Sequence, residues 1–118
     1  MTTLYGISNC DTVKRARRTL DDRGIAYRFH DFRKDGLDAE RVAAWLEQIG
    51  PDTLINRRGT TWRALPEADK ALTAPDALVG LLCAQPALIK RPLFEHRGEI
   101  RVGFARSDED AILQWLAS

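Results

Sequence analysis

The first part of the chain constrains the fold most, because it predicts two strands with a helix between them. Residues 3–7 form a short apolar run, residues 11–23 space their apolar side chains as a helix does, and residues 25–33 alternate as a strand does. Gly24 is a residue type that commonly ends a helix. Since the links are short, the pattern predicts a right-handed parallel β-α-β unit. The apolar face of the helix consists of Val13, Ala16 and Leu20.

The last part of the chain predicts a second arrangement, a hairpin followed by a helix. Strands are predicted at residues 93–95 and 100–104, with a tight turn between them. Residues 107–110 have the polar composition of a helix start, and a final helix follows. The predicted core face of that helix consists of Ala111, Ile112, Trp115 and Leu116.

Helical segments fill the middle of the chain. A helix at residues 37–49 has Asp38 as a candidate N-cap, and Trp45 flanks its apolar stripe. Shorter helices are predicted at residues 65–72 and 75–84, and the second is apolar almost all round, which predicts burial. The stripe of the first helix consists of Val42, Ala43, Leu46 and Ile49.

Together these patterns predict an α/β protein with a thioredoxin-like fold and a mixed four-stranded sheet. A chain of 118 residues suits a single domain. The core of this domain would comprise residues 1–36 and 87–118, and residues 37–86 would be a helical insertion.

Composition narrows the classes of function. The chain has 18 Lys and Arg against 17 Asp and Glu, a net charge of +1, which argues against a nucleic-acid partner. No apolar run approaches the roughly 20 residues that span a bilayer, so no membrane partner is expected. The N-terminus lacks the pattern of a secretory signal, which predicts a cytoplasmic protein. In that reducing compartment Cys10 and Cys83 are expected to be free thiols.

Cys10 is the sharpest candidate for chemistry, because it lies between the first predicted strand and a basic helix. A thiol reacts as the thiolate, and a helix N-terminus or a nearby cation favours that form. The backbone amides of residues 11–13 would approach the sulfur, and Lys14 would add positive charge one turn on. A carboxylate of Asp11 aimed at the sulfur would act against both. The alternative is an unreactive cysteine in a loop.

The residue three positions after Cys10 decides which thiol chemistry is open to it. A dithiol oxidoreductase would have a second cysteine there, but the chain has Val13. The sequence therefore predicts a monothiol site that takes its second thiol from glutathione or from another redox protein. Cys83 could supply that thiol instead, but its apolar helix favours a buried, small hydrophobic role.

Cations for the site are predicted from two further segments. The Arg91-Pro92 bond enters a predicted strand, which makes it a candidate cis peptide, and Arg91 would then point at the sulfur and hold an anion. The alternative is an exposed arginine in a loop. Arg57 and Arg58 are another source of positive charge or, alternatively, part of a solvated loop. No histidine lies at metal-ligand spacing from another ligand, so no metal is predicted.

Three segments carry a family resemblance. Residues 5–16, 54–59 and 87–93 read Tyr-Gly-Ile-Ser-Asn-Cys-Asp-Thr-Val-Lys-Arg-Ala, Leu-Ile-Asn-Arg-Arg-Gly and Ala-Leu-Ile-Lys-Arg-Pro-Leu. Together they resemble the ArsC/Spx family, most closely its YffB-like branch, over essentially the whole chain. The resemblance implies a thioredoxin-like core with a helical insertion.

The resemblance also implies catalytic roles. Cys10 matches the nucleophile of the family, and Arg91 matches the arginine that helps to bind the oxyanion in arsenate reductases. The predicted substrate- or glutathione-binding residues are Asn9, Asp11, Thr12, Lys14, Arg58 and Pro92.

Two further family arginines match less directly. One falls at Arg58 on the Spx-like spacing and at Asn56 or Arg57 on the arsenate-reductase spacing. The other falls close to Gly103, with Arg101 and Arg106 displaced from it. Because a tetrahedral oxyanion needs several converging cations, this loss argues against efficient arsenate reduction.

Three functions are therefore weighed, and the first is favoured. It is a glutathione-dependent thiol reductase with glutathione as co-substrate, no bound cofactor, and glutaredoxin as a possible redox partner. The second is a glutaredoxin-linked arsenate reductase that uses the same cysteine. The third is an Spx-like regulator that binds RNA polymerase. Val13 argues against its Cys-x-x-Cys redox switch, whereas Gly50 matches an interface glycine of such regulators.

Overall fold

A computed structural model describes residues 1–118, and its chain divides into two units. The first unit consists of Met1–Asp35 and Arg91–Ser118, and the second is Gly36–Lys90. The sequence-based boundaries lie at 36/37 and 86/87, and the assignment of the middle segment as an insertion into a single domain stays a prediction. Gly36–Lys90 is a unit with its own set of contacts.

Strands and helices follow in the predicted order, with additional short helices in the second unit. The first unit contains β1 (Thr2–Gly6), α1 (Asp11–Asp22), β2 (Arg28–Asp31), β3 (Leu93–His96), β4 (Glu99–Val102) and α7 (Glu109–Leu116). The second contains α2 (Ala39–Ile49), α3 (Pro51–Leu54), α4 (Thr60–Arg63), α5 (Glu67–Lys70), α6 (Pro75–Ala84) and the 3-10 helix Pro86–Leu88.

The four strands form one mixed sheet in the order β2-β1-β3-β4. β1 pairs with β2 in parallel, while β3 is antiparallel to both β1 and β4. The structure therefore confirms the α/β fold with a mixed four-stranded sheet. In the register, Gly6 at the end of β1 lies opposite Asp31, and Tyr5 lies opposite Leu93. The ends of β1 and β2 and the start of β3 consequently meet at one edge of the sheet.

The predicted apolar face of α1 is confirmed, whereas that of α7 is displaced. In α7, Leu113 is buried and Ala111 is exposed, the reverse of the prediction. Trp115 is half-buried: its ring packs against the core and also lies against the ring of His96 and the guanidinium of Arg101. The core of the first unit consists of Leu4, Val13, Ala16, Leu20, Phe94, Phe104, Ile112, Leu113 and Leu116.

Both edge strands are shifted or shortened relative to the prediction. β2 starts at Arg28 rather than at residue 25, because only the segment through Asp31 pairs with β1. β4 ends at Val102 rather than at residue 104. There Gly103 adopts φ +88°, a left-handed conformation that interrupts the extended chain.

In the second unit, α2 begins where its predicted N-cap places it. The Asp38 side chain accepts a hydrogen bond from the Glu40 amide at 3.1 Å. The predicted stripe is partly wrong, because Trp45 is buried in the core and Ala43 is exposed. With Val42, Trp45 and Leu46 facing inward, the large indole fills the space that the prediction gave to smaller side chains.

The helix α6 has the predicted bounds but not the predicted burial. Leu78 and Leu82 are buried on one face, whereas Cys83 is half-buried and Gly80 is exposed. An apolar sequence on all sides therefore does not mean burial on all sides in a small unit with few layers. None of the helices has the length and apolar character needed to cross a membrane.

Gly6 lies so close to α1 that the position has no space for a side chain. A Cβ atom built there would lie 2.6 Å from Cγ2 and 3.1 Å from Cγ1 of Val13. We predict that Gly6→Ala lowers the free energy of unfolding by about 1–3 kcal/mol in urea denaturation. The double variant Gly6→Ala with Val13→Ala removes the clash and should lose less than the two single changes add up to.

Gly80→Ala is the matched control, because a Cβ at Gly80 meets nothing within 4 Å and the residue lies inside α6. It should raise the free energy of unfolding by about 0.5–1 kcal/mol. Equal effects at Gly6 and Gly80 would contradict the close packing of β1 on α1.

Candidate active site around Cys10

Cys10 is the N-cap residue of α1, as its position between strand and helix predicts. Its backbone is extended, with φ −85° and ψ 125°, and its carbonyl accepts from the Lys14 amide at 2.9 Å. The residue is half-buried, and its side chain packs against the core of the first unit. A thiol placed in this way has one side on apolar groups and lies at the positive end of a helix of 12 residues.

The sulfur makes no capping hydrogen bond to the first turn of α1. The expectation that the amides of residues 11–13 would hold the sulfur is therefore not met at the level of a direct hydrogen bond. The physical reason is the donor and acceptor chemistry, because the sulfur of a thiol is a weak acceptor compared with a hydroxyl or carboxylate oxygen. The unbonded amides of the first turn remain the groups that an anion at this position would meet.

The turn that leads into Cys10 is held from a neighbouring strand. The Cys10 amide donates to the Ile7 carbonyl at 3.0 Å, and the Ser8 amide donates to Oδ2 of Asp31 at 3.1 Å. Asp31 was not among the predicted site residues, and its importance rests on a hydrogen bond between residues 23 positions apart. A carboxylate at the end of a strand, next to the strand that leads to the cysteine, is the one sequence signal that could have found it.

The pKa of the Asp31 carboxyl is lower than the ordinary value of an aspartate. Burial raises this pKa, but the amides of Arg33, Lys34 and Ser8, together with the Ser8 side chain, hydrogen-bond the ionised form and outweigh the effect of burial. Asp31 is 3% exposed. A buried negative charge is thus stabilised mainly by backbone amides on both sides of the strand end.

The Arg91-Pro92 bond is cis, as predicted, and lies at the same edge of the sheet. Since Tyr5 pairs with Leu93, continuing the antiparallel register by one residue places Pro92 beside Gly6. Pro92 is buried, and its carbonyl accepts from the Gly103 amide at 2.8 Å. Arg91 is half-buried, and its Nε atom is enclosed without a hydrogen bond of its own.

The other predicted site residues of this segment lie next to Cys10 in the sequence. Asn9, Asp11 and Lys14 are exposed, and Thr12 is half-buried. The next basic residue, Arg15, has a different role, because it donates to the Phe104 carbonyl and forms an ion pair with Glu109 at 3.1 Å. Lys14 is therefore the exposed cation of the first turn of α1, while Arg15 links that helix to the segment after β4.

Arg58 belongs to the second unit, so its predicted role at Cys10 stays a prediction. It is exposed, and its amide donates to the side chain of Asn56 at 3.1 Å. Its neighbour Arg57 is paired with Asp52 at 2.5 Å and lies over the ring of Trp62. Of these two arginines, Arg58 is the one without a carboxylate partner among the ion pairs of the structure.

Cys83 is a free, half-buried thiol on α6. Burial and the negative charge of Asp38 raise its pKa. Both effects favour the protonated thiol, which is the poorly reactive form. This environment agrees with the prediction that Cys83 has a packing role.

The family resemblance places a third arginine close to Gly103, which has no side chain. Gly103 lies there with φ +88°, and neither Arg101 nor Arg106 replaces it. Arg101 is exposed with its guanidinium 4.9 Å from the centre of the Trp115 ring, and Arg106 is exposed. This segment therefore adds a backbone amide, already bonded to Pro92, and no cation.

Comparison with known proteins is consistent across sequence and structure. A model of the ArsC family matches residues 5–112. A Haemophilus influenzae protein described as uncharacterized is 41% identical over 111 residues, which cover 94% of this chain and 97% of that protein. The global transcriptional regulator Spx of Listeria innocua is 26% identical over 118 residues, which cover 98% of this chain and 87% of the regulator.

Two solved structures are similar over nearly the whole chain. The YFFB protein has a TM-score of 0.86 at 43% identity, and the match covers 94% of this chain and 97% of that one. An arsenate reductase (ArsC) related protein from Brucella melitensis has a TM-score of 0.78 at 45% identity, with 96% and 94% covered.

The lowered pKa of Asp31 predicts how stability depends on pH. Because the folded-state pKa lies below the unfolded one, the contribution of Asp31 is complete above about pH 4 and is lost as the pH falls through the folded-state pKa. Asp31→Asn should therefore be less stable than the parent by about 1–3 kcal/mol at neutral pH, measured by urea denaturation.

The difference between parent and Asp31→Asn should shrink when the same denaturation is repeated at successively lower pH below about 4, as the parent carboxyl takes up its proton. A difference that stays constant across this range would show that the ionised carboxylate is not what stabilises the strand end.

Proposed function

The chain belongs to the ArsC family, and from this membership and the site around Cys10 we propose that it is a glutathione-dependent thiol reductase with a single nucleophilic cysteine. The family membership rests on the match over residues 5–112. Thiol-based reduction is the general part of the proposal, and the use of glutathione as co-substrate is the specific part.

The burial of Val13 is the observation that carries the monothiol assignment. Val13 is 0% exposed and belongs to the core of the first unit, facing away from solvent. The position three residues after Cys10, which holds the second thiol in a dithiol site, is thus committed to packing. The thiol that releases the product must therefore come from another molecule or from elsewhere in the chain, and the raised pKa of Cys83 disfavours that residue.

The proposed reaction consists of two exchanges at Cys10. The thiolate attacks the glutathione sulfur of a mixed disulfide, forms a Cys10–glutathione disulfide, and releases the substrate thiolate, which takes up a proton. A glutathione thiolate then attacks the glutathione sulfur on Cys10, releasing the Cys10 thiolate and oxidised glutathione. Overall, one mixed disulfide and one reduced glutathione give one substrate thiol and one oxidised glutathione. A glutaredoxin could perform the second exchange in place of free glutathione.

The surroundings of Cys10 suit an anionic tripeptide. Glutathione carries two carboxylates, which need cations or free amides. Lys14 is exposed on the first turn of α1, Arg91 lies next to Pro92 at the same edge of the sheet, and the helix N-terminus offers amides. We propose that Lys14 and Arg91 bind these carboxylates and that Asn9, Asp11, Thr12 and Pro92 line the site.

Arsenate reduction is the second candidate, supported by the description of the Brucella melitensis relative as related to arsenate reductase. The same Cys10 thiolate would attack arsenic. The absence of a side chain at Gly103 reduces the number of cations available for a tetrahedral oxyanion, which favours the disulfide substrate. Assaying both substrates with one preparation separates these functions.

Regulation through RNA polymerase is the third candidate, supported by the likeness to Spx over 98% of the chain. Capture of polymerase subunits by the purified protein, together with no turnover of disulfides or arsenate, would favour this function over both reductases.

We predict that Cys10→Ser reduces glutathione-dependent turnover of a small mixed disulfide to the uncatalysed rate, because the hydroxyl is not ionised at neutral pH. Cys83→Ser is the matched control, and it should keep the parent rate. Turnover that survives in Cys10→Ser would disprove the assignment of the nucleophile, and turnover lost in Cys83→Ser would identify Cys83 as the resolving thiol.

For Arg91→Ala we expect kcat/KM for the glutathione mixed disulfide to fall about ten- to a hundredfold, the range for the loss of a charged hydrogen bond. Arg91→Lys should recover part of the activity, since it keeps the charge but not the fork of donors. Arg23→Ala, an exposed arginine at the opposite end of α1, is the control and should leave kcat/KM unchanged. Equal activity in Arg91→Ala and Arg23→Ala would remove Arg91 from the site.

A further inference from the structure

A buried carboxylate borders the segment that leads from β1 to Cys10. Asp31 is the last residue of β2 and one of three polar residues that the structure buries, the others being Thr2 and His96. The parallel register pairs it with Gly6, the last residue of β1. The function proposed above has no use for this charge, so its position requires another explanation.

The two carboxylate oxygens of Asp31 bind two different turns. Oδ2 accepts from the Ser8 amide at 3.1 Å, whereas Oδ1 accepts from the amides of Arg33 at 2.8 Å and Lys34 at 3.2 Å. On the second side the turn is also closed by Asp35, whose carboxylate accepts from the Asp31 amide at 2.9 Å and whose amide donates to the Asp31 carbonyl at 2.8 Å. These bonds hold the Asp31 carboxylate in the turn that follows β2. Its bond to the Ser8 amide then connects that turn to the one before Cys10.

Ser8 is a central residue of the turn that ends at Cys10. The Cys10 amide donates to the Ile7 carbonyl at 3.0 Å, which leaves Ser8 and Asn9 between the two bonded residues. Holding the Ser8 N–H fixes the plane of the Ile7–Ser8 peptide, since the peptide unit is rigid. The orientation of that plane determines how the chain enters the first turn of α1, and hence the direction of the Cys10 side chain.

We propose that Asp31 is a positioning residue for Cys10, which holds the turn before the thiol in the geometry that exposes the sulfur at the start of α1. This inference rests on the proposed role of Cys10 as the nucleophile. Asp31 acts through the Ser8 amide and does not itself touch the substrate.

The charge of Asp31 and its anchoring effect predict opposite results when the charge is removed. A negative charge near a thiol disfavours the thiolate, so its removal alone would make Cys10 react faster. Loss of the anchor instead lets the turn move, and Cys10 reacts more slowly. Asp31→Asn separates the two, because it has the same shape but one acceptor oxygen, which cannot serve both turns.

The test measures alkylation of Cys10 by iodoacetamide between about pH 6 and 9, resolved by peptide mass spectrometry, in the parent, Asp31→Asn and Asp35→Asn. In Asp31→Asn we expect Cys10 to react about tenfold more slowly, with its pH profile displaced to higher pH. Cys83 in the same samples is the internal reference and should react at the parent rate. Asp35→Asn removes a carboxylate of the same turn that does not bind Ser8, and it should leave Cys10 at the parent rate.

Hydrogen exchange gives a second readout that follows the proposed bond directly. The Ser8 amide should exchange faster in Asp31→Asn and not in Asp35→Asn. Faster alkylation of Cys10 in Asp31→Asn, or an unchanged rate with only a lower melting temperature, would overturn the proposal. If Asp31→Asn does not fold, Asp31→Ser, which is smaller and lacks the carboxylate, takes its place with the same expectations.

These readouts use neither glutathione nor a disulfide substrate. Slow alkylation in Asp31→Asn combined with no reductase activity in the parent would contradict the proposed function and leave the positioning role intact. Normal alkylation in Asp31→Asn combined with full reductase activity in the parent would contradict the positioning role and leave the proposed function intact.

Discussion

The contact between Gly6 and Val13 determines where the candidate nucleophile lies. A Cβ at Gly6 would approach Cγ2 of Val13 to 2.6 Å, so the end of β1 and the first turn of α1 are packed as closely as backbone and side chain allow. The segment from Ile7 to Cys10 must therefore cross from strand to helix in a single tight turn, closed by the bond from the Cys10 amide to the Ile7 carbonyl. Position 13, where a dithiol site has its second cysteine, is occupied by a valine that this packing uses. The same contact that positions Cys10 thus agrees with the monothiol chemistry proposed for it.

Fewer basic side chains are available to the site around Cys10 than the basic sequence of α1 suggests. Arg15 is bonded to Phe104 and Glu109, and it stabilises the packing of α1 on the segment after β4. Gly103 offers no cation, and Arg57 is paired with Asp52. Lys14 and Arg91 are the cations of the first unit that the proposed function assigns to the thiol site. A small number of separated cations suits a peptide with two carboxylates better than a compact tetrahedral anion, which needs several of them at one point.

Periodicity and residue type predicted the elements of the fold well, because those signals are local. The β-α-β unit, the hairpin, the start of α2 at Asp38 and the bounds of α6 all follow from spacing, capping and turn chemistry within a few residues. The side of each helix that faces the core was less predictable. Trp45 rather than Ala43 is buried, and Leu113 rather than Ala111, because the choice depends on what other segments pack against the helix. The same limit applies to the site: Cys10 and the Arg91-Pro92 bond could be predicted from motif and order, whereas the Asp31–Ser8 bond joins segments that only the sheet register brings together.

The central claim is that Cys10 alone forms the covalent intermediate and that an external thiol releases it. The most direct measurement is the intact mass and peptide map of the protein after exposure to oxidised glutathione and then to reduced glutathione. The account predicts one glutathione attached at Cys10, absent from Cys83, and removed by reduced glutathione. Attachment at Cys83 with Cys10 unmodified, or an internal disulfide between the two cysteines, would contradict it.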